Sequence, residues 1–430
     1  MSFSSAMVHG CSAVTSFFFN IYYLVTLFIV AFSVNVIGKQ TPKDESVQLT
    51  KEEKRLVFDL GYYLRLQNMD IKKYSITTPD GHILKVNRVI NKNADRDAEK
   101  PGYPILLIPG LMQSSSAYCT SGPNAIGVVL ARMGYDVWLG NNRGGFHPEK
   151  IGSHQYSTSM WKWSMQDLAT KDVPTMVHFV ASETGAKKVA IAAHSQGTTQ
   201  TFIGLSREEH GGVPTLCEKV SSFSALAPAV YAGPLVDRWF LKMLRVGRKA
   251  YHTLVGYRSF LGFMSTMRQM LPNKFFGYCA YITFNYMLGW DDSLWDNHYR
   301  NRNFIFAPVM VSADLMFWWL GKGGFADRKC IFESEGSKWF DENFPPLQLY
   351  ACGRDNLVLP DVLINRIMNF EPDVKDGMEV ISLPHYSHLD VMWANDACTK
   401  VAMPLGEFIW DKVEDKHTWR QPNLDAGIKK

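Results

Sequence analysis

Three residues whose combined chemistry is acyl transfer stand where short apolar runs end. Ser195 lies in Val189-Ala190-Ile191-Ala192-Ala193-His194-Ser195-Gln196-Gly197, a strand-like run followed by a tight corner. The corner matches the strand–turn–helix pattern Gly-x-Ser-x-Gly, except that Ala193 holds the first glycine place. Residues two before and two after such a serine must be small so that strand and helix can approach, and Ala193 and Gly197 meet that need. The turn exposes the hydroxyl and places the Gln196 N–H at a helix N-terminus, where developing negative charge is favoured. Asp355 follows the run Leu347–Cys352, and His388 follows Met378–Leu383. A serine hydroxyl is a weak nucleophile at neutral pH. An imidazole can take its proton during attack and return it to the leaving alcohol, while a carboxylate fixes the tautomer and stabilises the imidazolium. His385 is a second candidate base and Asp390 a second candidate acid, the latter badly placed to reach around a ring so close in sequence. Asp361 and Glu371 read as loop and helix-surface charges, and His194 as a residue that shapes the corner. The tetrahedral oxyanion needs two donors: the Gln196 N–H, and the Leu111 N–H from the loop after Pro104–Gly110.

The elements that must hold these groups are legible as an α/β alternation. Tyr74–Thr78 and His82–Asn87 read as strands joined at Pro79-Asp80-Gly81. Pro104–Gly110 is continuously apolar, as a strand covered on both faces would be. Ala125–Met133 suits a helix, Tyr135–Leu139 a strand, Trp163–Ala181 a helix with a kink near Asp172 and Pro174, Thr198–Leu205 the helix after the serine, and Phe223–Pro228 another strand. The expected fold class is therefore α/β, a mostly parallel sheet with helices on both faces. From about 230 to 346 the alternation stops, and aromatic residues and methionines crowd together, which predicts an inserted, mainly helical cap over an apolar cleft. Strands resume at Leu347–Cys352 and Met378–Leu383, and Ala397–Trp410 closes as a helix. The expected organisation is an N-terminal hydrophobic segment (1–40), a first part of the core (41–229), the cap (230–346), a second part of the core (347–415) and a tail (416–430).

With 430 residues, 46% of them hydrophobic, the chain can bury a large core, and a net charge of +4 with no basic run interleaved with aromatics gives no footprint for nucleic acid. Seven scattered cysteines, none in a C-x-x-C pair, fit free thiols rather than disulfides or zinc sites. Residues 1–38 carry no Asp, Glu, Lys or Arg. Phe17–Val34 nears the ~20 apolar residues that cross a bilayer, so an uncleaved single-pass anchor is expected, with a cleaved signal peptide ending near Ala31-Phe32-Ser33 as its rival. Gly38–Glu53 reads as a polar linker and Lys54–Asn68 as a membrane-proximal helix. The basic residues after the apolar segment favour a cytosolic C-terminal side, and no Asn-x-Ser/Thr sequon occurs.

The chain resembles the acid lipase and steryl ester hydrolase family of α/β-hydrolases, and within it the membrane-anchored fungal steryl esterases. The resemblance rests on Thr78-Pro79-Asp80-Gly81-His82-Ile83-Leu84, Pro109-Gly110-Leu111-Met112-Gln113-Ser114-Ser115, Gly134-Tyr135-Asp136-Val137-Trp138-Leu139-Gly140-Asn141-Asn142-Arg143-Gly144, Ala193-His194-Ser195-Gln196-Gly197, Ala225-Leu226-Ala227-Pro228, Gly353-Arg354-Asp355 and Tyr386-Ser387-His388-Leu389-Asp390-Val391-Met392-Trp393. It implies Ser195 as nucleophile, Asp355 as acid, His388 rather than His385 as base, Leu111 and Gln196 as oxyanion donors, a cap with a lid, and hydrolysis of neutral lipid esters without metal or cofactor. Two departures stand out: Ala193 for the usual glycine, and Pro109 for the histidine that many members carry before Gly-Leu. The expectation is a serine ester hydrolase for steryl esters ahead of triacylglycerols, held at a membrane or lipid-droplet surface (endoplasmic reticulum or droplet ahead of a secretory, lysosomal or vacuolar site), with no nucleic-acid partner. A lipid acyltransferase, a carboxylesterase of more soluble esters and a non-catalytic lipid-binding homologue are the alternatives.

Overall fold

The apolar runs assemble into one sheet whose two faces are both covered. The computed structural model describes residues 3–38, 50–93, 100–154, 156–290, 292–332 and 336–427. The strands are β1 (Met69–Thr77), β2 (His82–Asn91), β3 (Pro104–Ile108), β4 (Asp136–Gly140), β5 (Val189–His194), β6 (Val220–Leu226), β7 (Leu347–Cys352) and β8 (Met378–Leu383). They lie in the order β1-β2-β4-β3-β5-β6-β7-β8, and the two-residue strand Glu149–Lys150 pairs with β2 off that path. From β4 to β8 every neighbouring pair is parallel, whereas β1 and β2 join antiparallel. Every residue of β3, β5, β6 and β7 is buried. Side chains alternate between faces along a strand, so Leu106 and Ile191 enter one hydrophobic core while Leu107 and Ala190 enter the other.

The helices used below are α1 (Phe3–Gly38), α2 (Leu60–Leu66), α3 (Ile126–Met133), α4 (Val173–Thr184), α5 (Gln196–Gly204), α6 (Arg248–Val255), α7 (Phe263–Met270), α8 (Asn273–Leu288), α9 (Asn297–Ile305), α10 (Ala313–Leu320), α11 (Pro360–Phe370) and α12 (Met403–Asp411). The expected helix over 54–68 is only α2, entered at Asp59, whose carboxylate accepts from the Gly61 N–H at 3.1 Å. The expected helix over 163–181 contains a wide turn at Leu168–Asp172 before α4, which begins at Val173 with Pro174 in its first turn. That turn carries Asp172 inward, where the buried Arg143 Nε donates to it at 2.8 Å. Helices α6 to α10 lie in sequence between β6 and β7, with a two-residue ladder of Ser259–Phe260 against Val311–Ser312. The tail does not trail away: the Arg420 N–H donates to the Pro101 carbonyl at 2.8 Å, and Trp419 is buried.

The N-terminal segment departs from a free-standing anchor. Among the described residues no helix is long and apolar enough to cross a membrane. Instead α1 lies along the helices between β6 and β7. Its Tyr23 hydroxyl donates to the Phe240 carbonyl at 3.1 Å, and its Asn20 amide donates to the Val255 carbonyl at 3.3 Å. Tyr23 and Leu27 form a small core with Leu235, Phe240 and Leu241. Most of the stretch read as a polar linker falls outside the described residues.

Candidate active site

The elbow is built by crowding. Ser195 has φ 52° and ψ −118°, a left-handed conformation that costs a non-glycine residue on the order of 1–3 kcal/mol. Its own N–H donates to the Leu226 carbonyl of β6 at 3.1 Å. A Cβ on Gly197 would stand 2.6 Å from the Ile108 carbonyl oxygen, so α5 can start this close to β3 only with glycine there. Ala193 takes the first small position inside the sheet, paired with Ile108 and Ala225. Behind the turn the Thr199 hydroxyl donates to the Ala229 carbonyl at 2.7 Å, and the Ala229 N–H donates to Thr198 Oγ1 at 2.9 Å.

The loops after β5, β7 and β8 bring three side chains into a line. His388 Nε2 lies 2.7 Å from Ser195 Oγ, and His388 Nδ1 lies 2.6 Å from Asp355 Oδ2. The Leu357 and Val358 N–H groups donate to Asp355 Oδ1 at 2.8 and 3.2 Å. All three residues are buried. His385 is exposed, whereas Asp390 is buried and faces elsewhere: its Oδ2 accepts from the Ser387 N–H and hydroxyl at 2.6 and 2.8 Å, and its Oδ1 accepts from Trp295 Nε1 at 2.6 Å. Asp390 thus shapes the loop that carries His388. Asp361 sits exposed in the first turn of α11. Glu371 is not a surface charge. It is buried, accepts from the Trp339 and Phe340 N–H groups and pairs with Arg366 at 2.9 Å.

His194 sits between two loops. Its Nε2 lies 3.0 Å from the His388 carbonyl oxygen and its Nδ1 lies 3.1 Å from Gln113 Oε1, which also accepts from the Gly110 N–H at 3.1 Å. Burial, with His388 acting in the same direction, pushes the His194 imidazole down to about 3, so it is neutral near pH 7. Leu111 and Met112 follow Gly110 and line the cavity beside Ser195, and the Met112 carbonyl accepts from the Val309 N–H at 2.8 Å. Gln196 opens α5, and its side-chain oxygen accepts from Trp319 Nε1 at 3.0 Å, tying α10 to the elbow. Sequence reasoning missed Gln113 and Trp319. A lone glutamine in a polar loop and one tryptophan among many carry no local signal of such contacts.

Ser195 and His388 open into a cavity of about 820 Å³ whose lining is almost wholly apolar. Its walls come from α7, α8, α10 and the loop after β3, and Ile21, Leu24, Val25 and Phe28 of α1 form one side. A serine on a strand–helix elbow, met by an imidazole and a carboxylate at the C-terminal ends of later parallel strands, defines an α/β-hydrolase.

Comparison with known proteins narrows the class. Residues 60–122 match the family model described as a partial alpha/beta-hydrolase lipase region, and residues 103–258 match the alpha/beta hydrolase fold. Sterol esterase 2 of Saccharomyces cerevisiae is 35% identical over 394 residues, covering 83% of this chain and 72% of that protein. Gastric triacylglycerol lipase of Homo sapiens is 28% identical over 359 residues, covering 77% of this chain and 85% of the lipase. A crystal structure from Sulfolobus solfataricus shares the fold, with a TM-score of 0.51 and 13% identity over 80% of this chain and 95% of that one. The chain belongs to the acid lipase family of α/β-hydrolases and is a carboxylic ester hydrolase of the lipase type.

Proposed function

We propose that the chain hydrolyses esters of neutral lipids, steryl esters ahead of triacylglycerols, through an acyl-enzyme on Ser195. The observation that carries this is the Asp355–His388–Ser195 hydrogen-bond line at the floor of an apolar cavity. Ser195 Oγ attacks the ester carbonyl while His388 Nε2 takes the hydroxyl proton. The tetrahedral oxyanion is met by the backbone N–H groups of Leu111 and Gln196, each such donor contributing roughly 3 kcal/mol to the transition state. His388 then protonates the departing alcohol. In the second half a water gives its proton to His388 and attacks the acyl carbonyl, and Ser195 leaves protonated with the acid released. Asp355 holds the ring with Nε2 towards Ser195 throughout. A volume of about 820 Å³ is at the upper end of the ~300–1,000 Å³ typical of small-molecule sites, as an ester with two long apolar limbs requires. The 35% identity to a sterol esterase supports the steryl preference.

The same reading places the enzyme at a membrane or lipid-droplet surface through α1. Tyr22 is 68% exposed while Tyr23, next in the chain, is 5% exposed, so this apolar helix has one face on the enzyme and one face outward. Phe18, Ile29 and Phe32 share the outward face, and Trp239 and Met243 are exposed beside Lys242 on the neighbouring turn. An apolar face with a lysine at its edge suits the interface of an anionic membrane.

The decisive experiment compares the purified protein with its Ser195→Ala variant on cholesteryl oleate, trioleoylglycerol and a butyrate ester. Hydrolysis and labelling by a fluorophosphonate fall by roughly 10⁴-fold or more in the variant, with an unchanged circular dichroism spectrum. Full turnover in that variant removes Ser195 from the reaction, and turnover of the butyrate alone removes the lipid reading.

A further inference from the structure

The segment that reads as an anchor is also a wall of the active-site cavity. Along α1, Tyr23 and Leu27 are buried against the turn at Trp239–Lys242, and the Tyr23 and Asn20 hydrogen bonds fix the helix in rotation as well as position. Next to those seats, Leu24 and Phe28 face the cavity that holds Ser195 and His388. These two lie one helical turn apart on one stripe. Leu24 packs on the core of one sheet face and Phe28 on the core of the other, so together they span the site. Val25, Met267 and Phe275 line the same cavity and are each at least 40% exposed, so they form a rim between the cavity and the outside. Remove α1 and the cavity loses one side.

Resting on the neutral-lipid reading, we propose that α1 is a specificity element of the enzyme, and that Leu24 and Phe28 set the size of the apolar limb accepted next to the reacting ester. The limb is either the acyl chain or the alcohol, and both present the same hydrocarbon surface to these side chains. An apolar pocket discriminates by the methylenes it can bury, so a bulky residue projecting from α1 penalises long limbs and spares short ones. Filling the stripe narrows the accepted size, and trimming it widens it. The helix therefore couples where the enzyme sits to what it accepts.

The test uses the full-length protein in detergent micelles, so that attachment to a lipid surface does not limit the rate. The kcat/KM ratio of long to short ester is measured twice: 4-nitrophenyl palmitate against butyrate for the acyl side, and cholesteryl butyrate against ethyl butyrate for the alcohol side. Leu24→Trp lowers at least one ratio by tenfold or more while butyrate turnover reports that the variant is folded. Phe28→Ala moves the same ratio towards larger limbs. Val362→Trp, at an exposed site on α11 away from the cavity, leaves both ratios in place. Both ratios within twofold of the parent in Leu24→Trp and Phe28→Ala overturn the proposal, as does an equal shift in Val362→Trp. If the parent itself turns over no long or steryl ester, the neutral-lipid reading falls first and this inference with it, a failure seen without any variant.

Discussion

The two oxygens of Asp355 carry different loads: Oδ2 faces His388, and Oδ1 accepts two backbone N–H groups that lock the carboxylate in place. Asparagine at this position keeps the shape and loses the charge that holds the imidazole tautomer. Asp355→Asn is expected to lower kcat by about 10⁴-fold with a small effect on KM. Asp390→Asn is the informative contrast, because that carboxylate holds Ser387 and Trp295 rather than the ring. Its expected cost is stability, about 1–3 kcal/mol for unmade buried hydrogen bonds, read as a lower unfolding midpoint with a far smaller loss of kcat. Equal losses of kcat in the two variants would put Asp390 into the reaction. That Ser195, Asp355 and His388 come together was legible in the sequence because each follows a strand within a few residues in the order serine, acid, histidine. Strand position and chain order left His385 open, and only the family resemblance chose His388 over it. Gln113, Trp319 and the buried Glu371 were not legible, because each also meets a partner far away in sequence (His194, Gln196 and Trp339 respectively) that only the folded chain supplies.

At the scale of elements, the turn between β1 and β2 is tied to the end of β4 by charge. Arg143 is fully buried and reaches both Asp80 and Asp172 at 2.7 Å. Burial opposes ionisation of Asp80, but the Arg143 and Thr78 hydrogen bonds outweigh it and hold the carboxyl well below its usual range. His82 opens β2 beside this cluster, fully buried, with no hydrogen-bond partner for either ring nitrogen among the described residues. Burial first, then the Arg143 and Lys150 charges, push its imidazole down to about 4. The native state thus keeps His82 neutral while the unfolded chain takes up a proton near pH 6.5. The stability this supplies is complete above pH 6.5 and is lost as pH falls towards 4, about 2 kcal/mol of it by pH 5. His194 acts in the same direction. Denaturant unfolding of the parent at pH 7 and pH 5 should show the loss, and His82→Leu should remove most of the His82 share. An unchanged difference in that variant would assign the effect elsewhere. The strands around this cluster were legible from apolar runs and a Pro-Asp-Gly turn. The wide turn at Leu168–Asp172 was legible only as a kink, since a proline marks where a helix is disturbed and not how the preceding turn accommodates it.

For the whole molecule, the arrangement of apolar surface decides how the proposed lipid ester would reach the buried Ser195. The N-terminal run is apolar all round, so hydropathy alone could not separate a stripe that docks on the enzyme from one that faces outward. The division appears only once α1 is seated, with Tyr23 and Leu27 inward and Phe18, Tyr22 and Ile29 outward. If the outward stripe meets lipid, Val25, Met267 and Phe275 at the cavity rim meet it too, and an ester can pass from the lipid phase to Ser195 without crossing water. Each half-exposed outward side chain then contributes on the order of 1 kcal/mol to attachment. Replacing Phe18 and Ile29 together with serine should weaken binding to phosphatidylcholine–phosphatidylserine vesicles by at least about tenfold, measured by flotation. Hydrolysis of an ester dissolved in those vesicles should fall in proportion to the bound fraction. Undiminished vesicle binding in the double variant would show that the outward face of α1 is not what holds the enzyme to lipid.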